Sequence, residues 1–214
     1  GTPAVTVRWS TSGSLSVREI TPYGCSAVTK LTITVYPVAL VDAGTDRSLC
    51  RGSSTSLGGA PTAANGTAPY TYTWSPATGL DDASSANPTA SPLVTTTYTL
   101  TVRDANGCEA IDEVTVTIHE RHIPVITVSS GSNPGCEGEV IVLDAGEGFA
   151  TYLWSNGATT RTIQVVSSAT LTVTATDANS CTETSAQFEV IVKPQPKPVA
   201  VALGETALCE GARV

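Results

Sequence analysis

The sequence predicts an all-β protein, a tandem of antiparallel β-sandwiches with essentially no helix. Three observations carry that prediction. An alternating stretch that ends in a turn and a cysteine recurs along the chain: Tyr98-Thr-Leu-Thr-Val-Arg-Asp-Ala-Asn-Gly-Cys108 returns as Leu171-Thr-Val-Thr-Ala-Thr-Asp-Ala-Asn-Ser-Cys181, and in a looser copy as Leu15-Ser-Val-Arg-Glu-Ile-Thr-Pro-Tyr-Gly-Cys25. Apolar residues elsewhere alternate with the two-residue period of a half-buried strand, and no stretch repeats them at i, i+3, i+4 and i+7 between caps. Gly, Pro, Asn and Asp punctuate these short runs, as the turns of a sandwich require.

Taken in order, residues 1–36 read as the later strands of a repeat. Val5, Val7 and Trp9 share one strand face, Leu15 and Val17 another, and Leu31, Ile33 and Val35 a third. Residues 37–120 form a complete repeat, with an opening strand at 38–43, a turn Ser48-Leu-Cys-Arg-Gly that carries Cys50, and a short strand near 55–59. Tyr70, Tyr72 and Trp74 then put one aromatic face inward. A polar, Pro-bounded excursion over 76–92 cannot continue a central strand, and the signature strand with its return (Val114, Val116, Ile118) closes the repeat. Residues 121–194 repeat the plan in shorter form, with Tyr152 and Trp154 in the aromatic strand, Leu171 and Val173 facing the core, and Phe188, Val190 and Val192 at the end. Lys193-Pro-Gln-Pro-Lys-Pro198 reads as a stiff linker. Residues 195–214 begin a further repeat, because Leu208-Cys-Glu-Gly matches Leu49-Cys-Arg-Gly.

Composition narrows the function. Charged residues make up 14% of the 214, Met is absent and the net charge is −8. Such a surface cannot neutralise a run of phosphates, which argues against a nucleic-acid partner. No stretch reaches the roughly 18 to 20 apolar residues of a membrane helix, and the first residues lack the pattern of a signal peptide, so an export address is expected outside this sequence.

The six cysteines fall into two classes. Cys50, Cys136 and Cys209 come early in a repeat; Cys25, Cys108 and Cys181 come late, after the signature strand. One of each class per repeat predicts bridges Cys50–Cys108 and Cys136–Cys181, each worth about 4 kcal/mol in the chain-entropy account, and an oxidising, extracellular location. Cys25 and Cys209 are then left as candidates for bonds to another repeat or another chain. Joined end to beginning, the C-terminal and N-terminal pieces would make one slightly shortened repeat, so the chain reads either as a window on a longer array or as a subunit whose ends complete a neighbour.

The Tyr-x-Trp-Ser element, the strand ending Asp-Ala-Asn-Gly-Cys108 and the early Leu-Cys-x-Gly resemble the Ig-like and PKD-like repeats of large surface proteins of Bacteroidota, including gliding-motility adhesins. The resemblance implies export by the type IX route, display on the cell surface and a part in adhesion or filament formation. The second cysteine follows the turn instead of lying within the strand, which places it towards one end of the sandwich and departs from the antibody pattern.

Trp9, Trp74 and Trp154 are expected as core anchors and not as a sugar-stacking row. Asp104 with Asn106, and Asp177 with Asn179, are weak calcium candidates, since Asx residues beside Gly or Ser more often only form turns. No Cys-x-x-Cys pair exists, and His119 and His122 sit together in what reads as a solvated linker, so no zinc centre is expected. No nucleophile elbow, metalloprotease helix or phosphate loop is present. The expectation is a non-enzymatic stalk segment without cofactor, its partners being neighbouring repeats or identical chains along a filament. The alternatives are a filament subunit with split terminal domains, or an accessory spacer in a secreted hydrolase.

Overall fold

The computed structural model describes residues 6–199, which are strand and loop throughout; no helix occurs among them. The chain divides into two units, Gly1–Glu120 and Arg121–Val214. The C-terminal piece with Cys209 lies almost wholly outside the described residues.

In the first unit, β1 (Gly13–Ile20) and β2 (Ser26–Ile33) form an antiparallel hairpin that pairs Leu15 with Leu31. The complete repeat follows: β3 (Leu40–Val41), β4 (Arg47–Cys50), β5 (Thr55–Ser56), β6 (Ala63–Ala64), β7 (Thr71–Ser75), β8 (Thr89–Ala90), β9 (Thr96–Arg103) and β10 (Glu109–His119). One layer is the sheet β4-β10-β9-β7; the short pairs β3–β6 and β5–β8 close the other side. Alternation decides what lies between. Tyr98, Leu100 and Val102 of β9 and Val114 and Val116 of β10 point inward and are 0–1% exposed. The residues between them point out, where Thr97 and Thr115 exchange a 3.0 Å hydroxyl hydrogen bond and Thr99 donates to Glu113. Threonine is suited to this place because its branched carbon fits the pleat while its hydroxyl finds a cross-strand partner.

The expected turn around Cys50 is a strand instead. β4 runs parallel to the last residues of β10, with Arg47 beside Val116 and Cys50 beside His119, and the chain turns only at Arg51. The edge of β10 would otherwise present unpaired backbone groups. Where β4 has not yet begun, Asp46 serves that edge by accepting from the Thr115 amide at 2.8 Å, and Asp112 of β10 accepts from the Ala43 amide of the incoming chain at 2.8 Å.

The second unit contains β11 (Thr127–Ser130), β12 (Gly135–Cys136), β13 (Ile141–Asp144), β14 (Phe149–Trp154), β15 (Thr162–Val165), β16 (Ala169–Leu171), β17 (Val173–Asp177), β18 (Thr182–Thr184), β19 (Phe188–Val190) and β20 (Val192–Lys193). Its sheets are β11-β13-β15 and β14-β17-β18, with the pairs β12–β20 and β16–β19 completing the edges. Ile141, Leu143, Val173 and Val190 are buried in one core with Trp154. The threonine pairs recur outside: Thr174 with Thr184 and Thr176 with Thr182, each at 2.9 Å.

Trp74 and Trp154 occupy matching places at the centre of each core, 2% and 1% exposed. Each indole N–H reaches out of the core to a loop carbonyl, Ser85 at 2.9 Å and Thr160 at 2.8 Å, so no donor is left stranded. Trp9 differs. It is only half-buried, its ring lying over Gly13 in the N-terminal hairpin, where a Cβ would come within 2.7 Å of the ring.

Removing the indole leaves a cavity and frees a loop carbonyl. Trp154→Ala is expected to cost about 3–5 kcal/mol, read as a lowered midpoint for the second repeat in denaturant unfolding followed by its own tyrosine environment.

Candidate functional site: the two poles of each repeat

The signature turn is built on one carboxylate. Asp104 is 5% exposed, and its two oxygens accept from the backbone amides of Thr67 at 3.1 Å, Asn106 at 2.9 Å and Cys108 at 2.9 Å. The Asp104 amide in turn donates to the Cys108 carbonyl, and the Gly107 amide to the Asp104 carbonyl. Only Gly107 takes a positive φ, of 82°. The loop is therefore a type I turn followed by one left-handed residue, not the mirror-image turn that Asn-Gly suggests. In the second repeat Asp177 repeats the arrangement, accepting from Asn179 at 2.8 Å and Cys181 at 2.9 Å, and the left-handed place falls to Ser180 at φ 66°.

These contacts tie the calcium candidates to their own turns. Asn106 donates its side-chain amide to Thr67 at 2.7 Å. Among the described residues, no three His, Cys, Asp or Glu side chains converge as a metal site would require.

The hairpins also define where each repeat begins and ends. Along the first complete repeat Ala43 lies beside Asp112, Asp46 beside Thr115 and Cys50 beside His119. The chain thus comes in near the Asp104–Cys108 turn, the leading pole, and leaves from His119 at the opposite, trailing pole. The second repeat has the same sense. His122 stacks on Phe149 with ring centroids 4.5 Å apart, and Phe149 pairs with Asp177 of the hairpin, whereas Cys136 lies beside Lys193 where the repeat ends.

This geometry overturns the expected intra-repeat bridges. Cys108 and Cys136 are free thiols, while Cys50 and Cys181 are disulfide-bonded. A bridge needs Cα atoms within about 7 Å. Cys108 sits at one end of β10 and Cys50 at the other, and a strand of this length spans about 30 Å. In the second repeat Ser168 bonds to Val192 near Cys136, and the chain from there to Asp177 is extended over a comparable distance. Early and late cysteines belong to opposite poles, so they cannot close their own repeat. Cys25 is free and exposed in a hairpin turn of the same kind, where Thr21 stands in for the aspartate and accepts from the Cys25 amide at 3.2 Å.

Of the His119-Glu-Arg-His122 stretch, His119 is the last residue of β10, while Glu120, Arg121 and His122 are exposed and outside any strand, as a solvated linker requires, yet each has a partner. His119 is hydrogen-bonded to Ser48 at 2.6 Å, and Glu120 pairs with Arg51 at 2.8 Å, both within the first unit. Within the second unit Arg121 grips Glu183 through two guanidinium nitrogens, which raises the Arg121 pKa and holds Glu183 below the usual carboxylate range.

No protein-family model matches the chain, and no curated protein matches it. Among solved structures it is similar to the PKD domain of the KIAA 1837 protein, at 29% identity over 39% of this chain and 89% of that one, with a TM-score of 0.33. It is also similar to a three-domain Ig segment of titin, at 10% identity over 85% of this chain and 75% of that one, TM-score 0.41. A third is extracellular domains 3–5 of Drosophila OTK, at 13% identity over 85% and 71%, TM-score 0.38. The neighbours are PKD and Ig-like domains.

Backbone amides, led by that of Thr67, hold the Asp104 carboxyl below its ordinary value of 3.8. A carboxyl lowered by folding stabilises the fold fully above its unfolded pKa, and that contribution is lost as pH falls through the folded value. Asp104→Asn is therefore expected to lower Tm at pH 7 and to flatten the fall of Tm below pH 4. Ser180→Gly should raise stability by up to about 1 kcal/mol, by relieving a left-handed residue, in denaturant unfolding at neutral pH.

Proposed function

We propose that this segment is a structural stalk of a cell-surface adhesin or extracellular filament, exported in a Bacteroidota-type surface system, and that it acts by geometry and not by catalysis. One observation carries the reading: in each complete repeat the chain comes in at one pole and leaves at the other. A module of that kind adds length with every copy, whereas a module with adjacent termini would sit as an appendage. The closed cores, each with a buried tryptophan, make the repeats self-sufficient. Disulfide bonding at Cys50 and Cys181 suits an oxidising, extracytoplasmic setting.

Exchange of residues 37–194, within the full-length protein, for two unrelated sandwich repeats of equal length tests this. Cells carrying the exchanged stalk are expected to attach as before. Lost attachment with unchanged surface display would mean that these repeats bind the ligand themselves.

A second reading is favoured by the N-terminal hairpin. Val17 and Leu31, which match Leu100 and Val114 by position relative to the signature cysteine, are 59% and 56% exposed, against 0% and 1% for their counterparts. That face is the half of a sandwich core, and it fits a first half supplied by the opening strands of another repeat, in a longer chain or in a neighbouring copy. If copies supply it, the purified chain will self-associate in sedimentation velocity, and Val17→Asp with Leu31→Lys will abolish association without lowering the Tm of either complete repeat.

A further inference from the structure

We propose that Asn156 is a self-modifying site: its carboxamide cyclises onto the Gly157 amide and reopens as isoaspartate or aspartate, ahead of the other two Asn-Gly pairs of the chain. The proposal is independent of the stalk reading, since it concerns one turn of the second repeat.

The chain holds three such pairs, Asn65-Gly66, Asn106-Gly107 and Asn156-Gly157. Glycine leaves the nitrogen that follows asparagine open to approach, because it has no Cβ to shield it. The Gly157 nitrogen, once it has given up its proton to solvent base, attacks Cγ of Asn156; the Cγ–Nδ2 bond breaks and ammonia leaves with a proton. A five-membered succinimide results. Water adds to one of its two carbonyls and the ring opens to a carboxylate. The sum is amide plus water to acid plus ammonia, with no oxidant and no cofactor.

The three turns share one brake. Each glycine amide donates to a carbonyl of its own turn, Gly66 to Ala64 at 2.9 Å, Gly107 to Asp104 at 3.0 Å and Gly157 to Trp154 at 2.9 Å. The rest of each site separates them. Asn106 is tied down: its Nδ2, the leaving group, donates to Thr67 Oγ1 at 2.7 Å, and its backbone amide is held by Asp104. Asn65 sits at φ 64° before a crowded glycine, where a Cβ on Gly66 would lie 3.1 Å from Ala39 and from Tyr70. Ring closure requires the turn to rearrange, and these two are held in place.

Asn156 has the room and the orientation. Asn156 and Gly157 are exposed, and a Cβ on Gly157 would meet nothing within 4 Å. The Asn156 Oδ1 accepts from the Ala158 amide at 3.1 Å. A side chain bonded to the amide two residues on is folded over the peptide between, which turns Cγ towards the Gly157 nitrogen. The Ala158 amide also stabilises the negative charge that builds on Oδ1 during the attack.

The place gives the reaction a consequence. The turn is closed by the Trp154 amide on the Ala158 carbonyl at 2.8 Å, and the Trp154 indole is satisfied by the Thr160 carbonyl just beyond it. Isoaspartate carries the backbone through the former side chain and lengthens it by a methylene. It therefore slackens the turn that holds the core tryptophan of the second repeat.

The test incubates the purified 214-residue chain, folded and in urea, in heavy-oxygen water at mildly alkaline pH, then digests it in acid and maps the label by mass spectrometry. In the folded chain label and isoaspartate are expected at Asn156 first. About tenfold more product is expected there than at Asn106, the factor that one hydrogen bond retained on the leaving group is worth. In urea the three pairs should react alike. Asn156→Gln, whose side chain is too long for a five-membered ring, should stay unlabelled at that position and keep the slow amide exchange over residues 154–160 that the aged parent chain loses. Reaction of Asn65 or Asn106 as fast as Asn156 in the folded chain would overturn the proposal, as would label at Asn156 in urea only. Unchanged exchange over residues 154–160 in a chain already converted at Asn156 would overturn the assigned consequence.

Discussion

The pairing of β9 with β10 around the Asp104 turn is the constraint on which the first repeat depends. Once the carboxylate has gathered the amides of Thr67, Asn106 and Cys108, the register is set, with Tyr98 opposite Val114 and Arg103 opposite Glu109. A slip by one residue would carry Tyr98, Leu100 and Val102 to the water side and the threonines into the core. Everything else is added to that ribbon: β7 with Trp74 along one edge, β4 along the other, and the short pairs as a lid. Asp177 and its hairpin do the same in the second repeat with fewer residues.

Much of this was legible in the chain. Alternation marked the long strands and their inward faces, and the recurrence of one stretch marked the equivalent hairpins that end at Cys108 and Cys181. The tryptophans at 74 and 154 were placed by their position before the signature strand. Three features were not legible. β4 is short and reads as a turn, because what makes it a strand is the vacant edge of β10 and not its own pattern. The cysteine pairing was misjudged because class membership says which cysteines are equivalent, while only strand direction says at which pole each one lies. The aromatic and ionic ties of His122 and Arg121 depend on partners in distant strands, Phe149 and Glu183, which one sequence does not connect.

Repeats of this kind divide their chemistry between inside and ends. The core faces carry stability, and the outer faces are threonine-lined and weakly charged, a surface that pairs hydroxyl with hydroxyl across strands. Sequence identity with the signature is concentrated at the hairpin tip, where the carboxylate and the cysteine sit.

The parallel alignment of β4 with β10, and of β12 with β20, has a mechanical side. Tension applied to the two ends of a repeat pulls β4 towards the leading pole and β10 towards the trailing pole, so their hydrogen bonds are loaded together in shear instead of being peeled one by one. The clamp spans four residues in the first repeat, Arg47–Cys50 against Val116–His119, and two in the second, Gly135–Cys136 against Val192–Lys193. Under a rising pull the shorter repeat would yield first, giving the array a weaker link that extends before its neighbour fails.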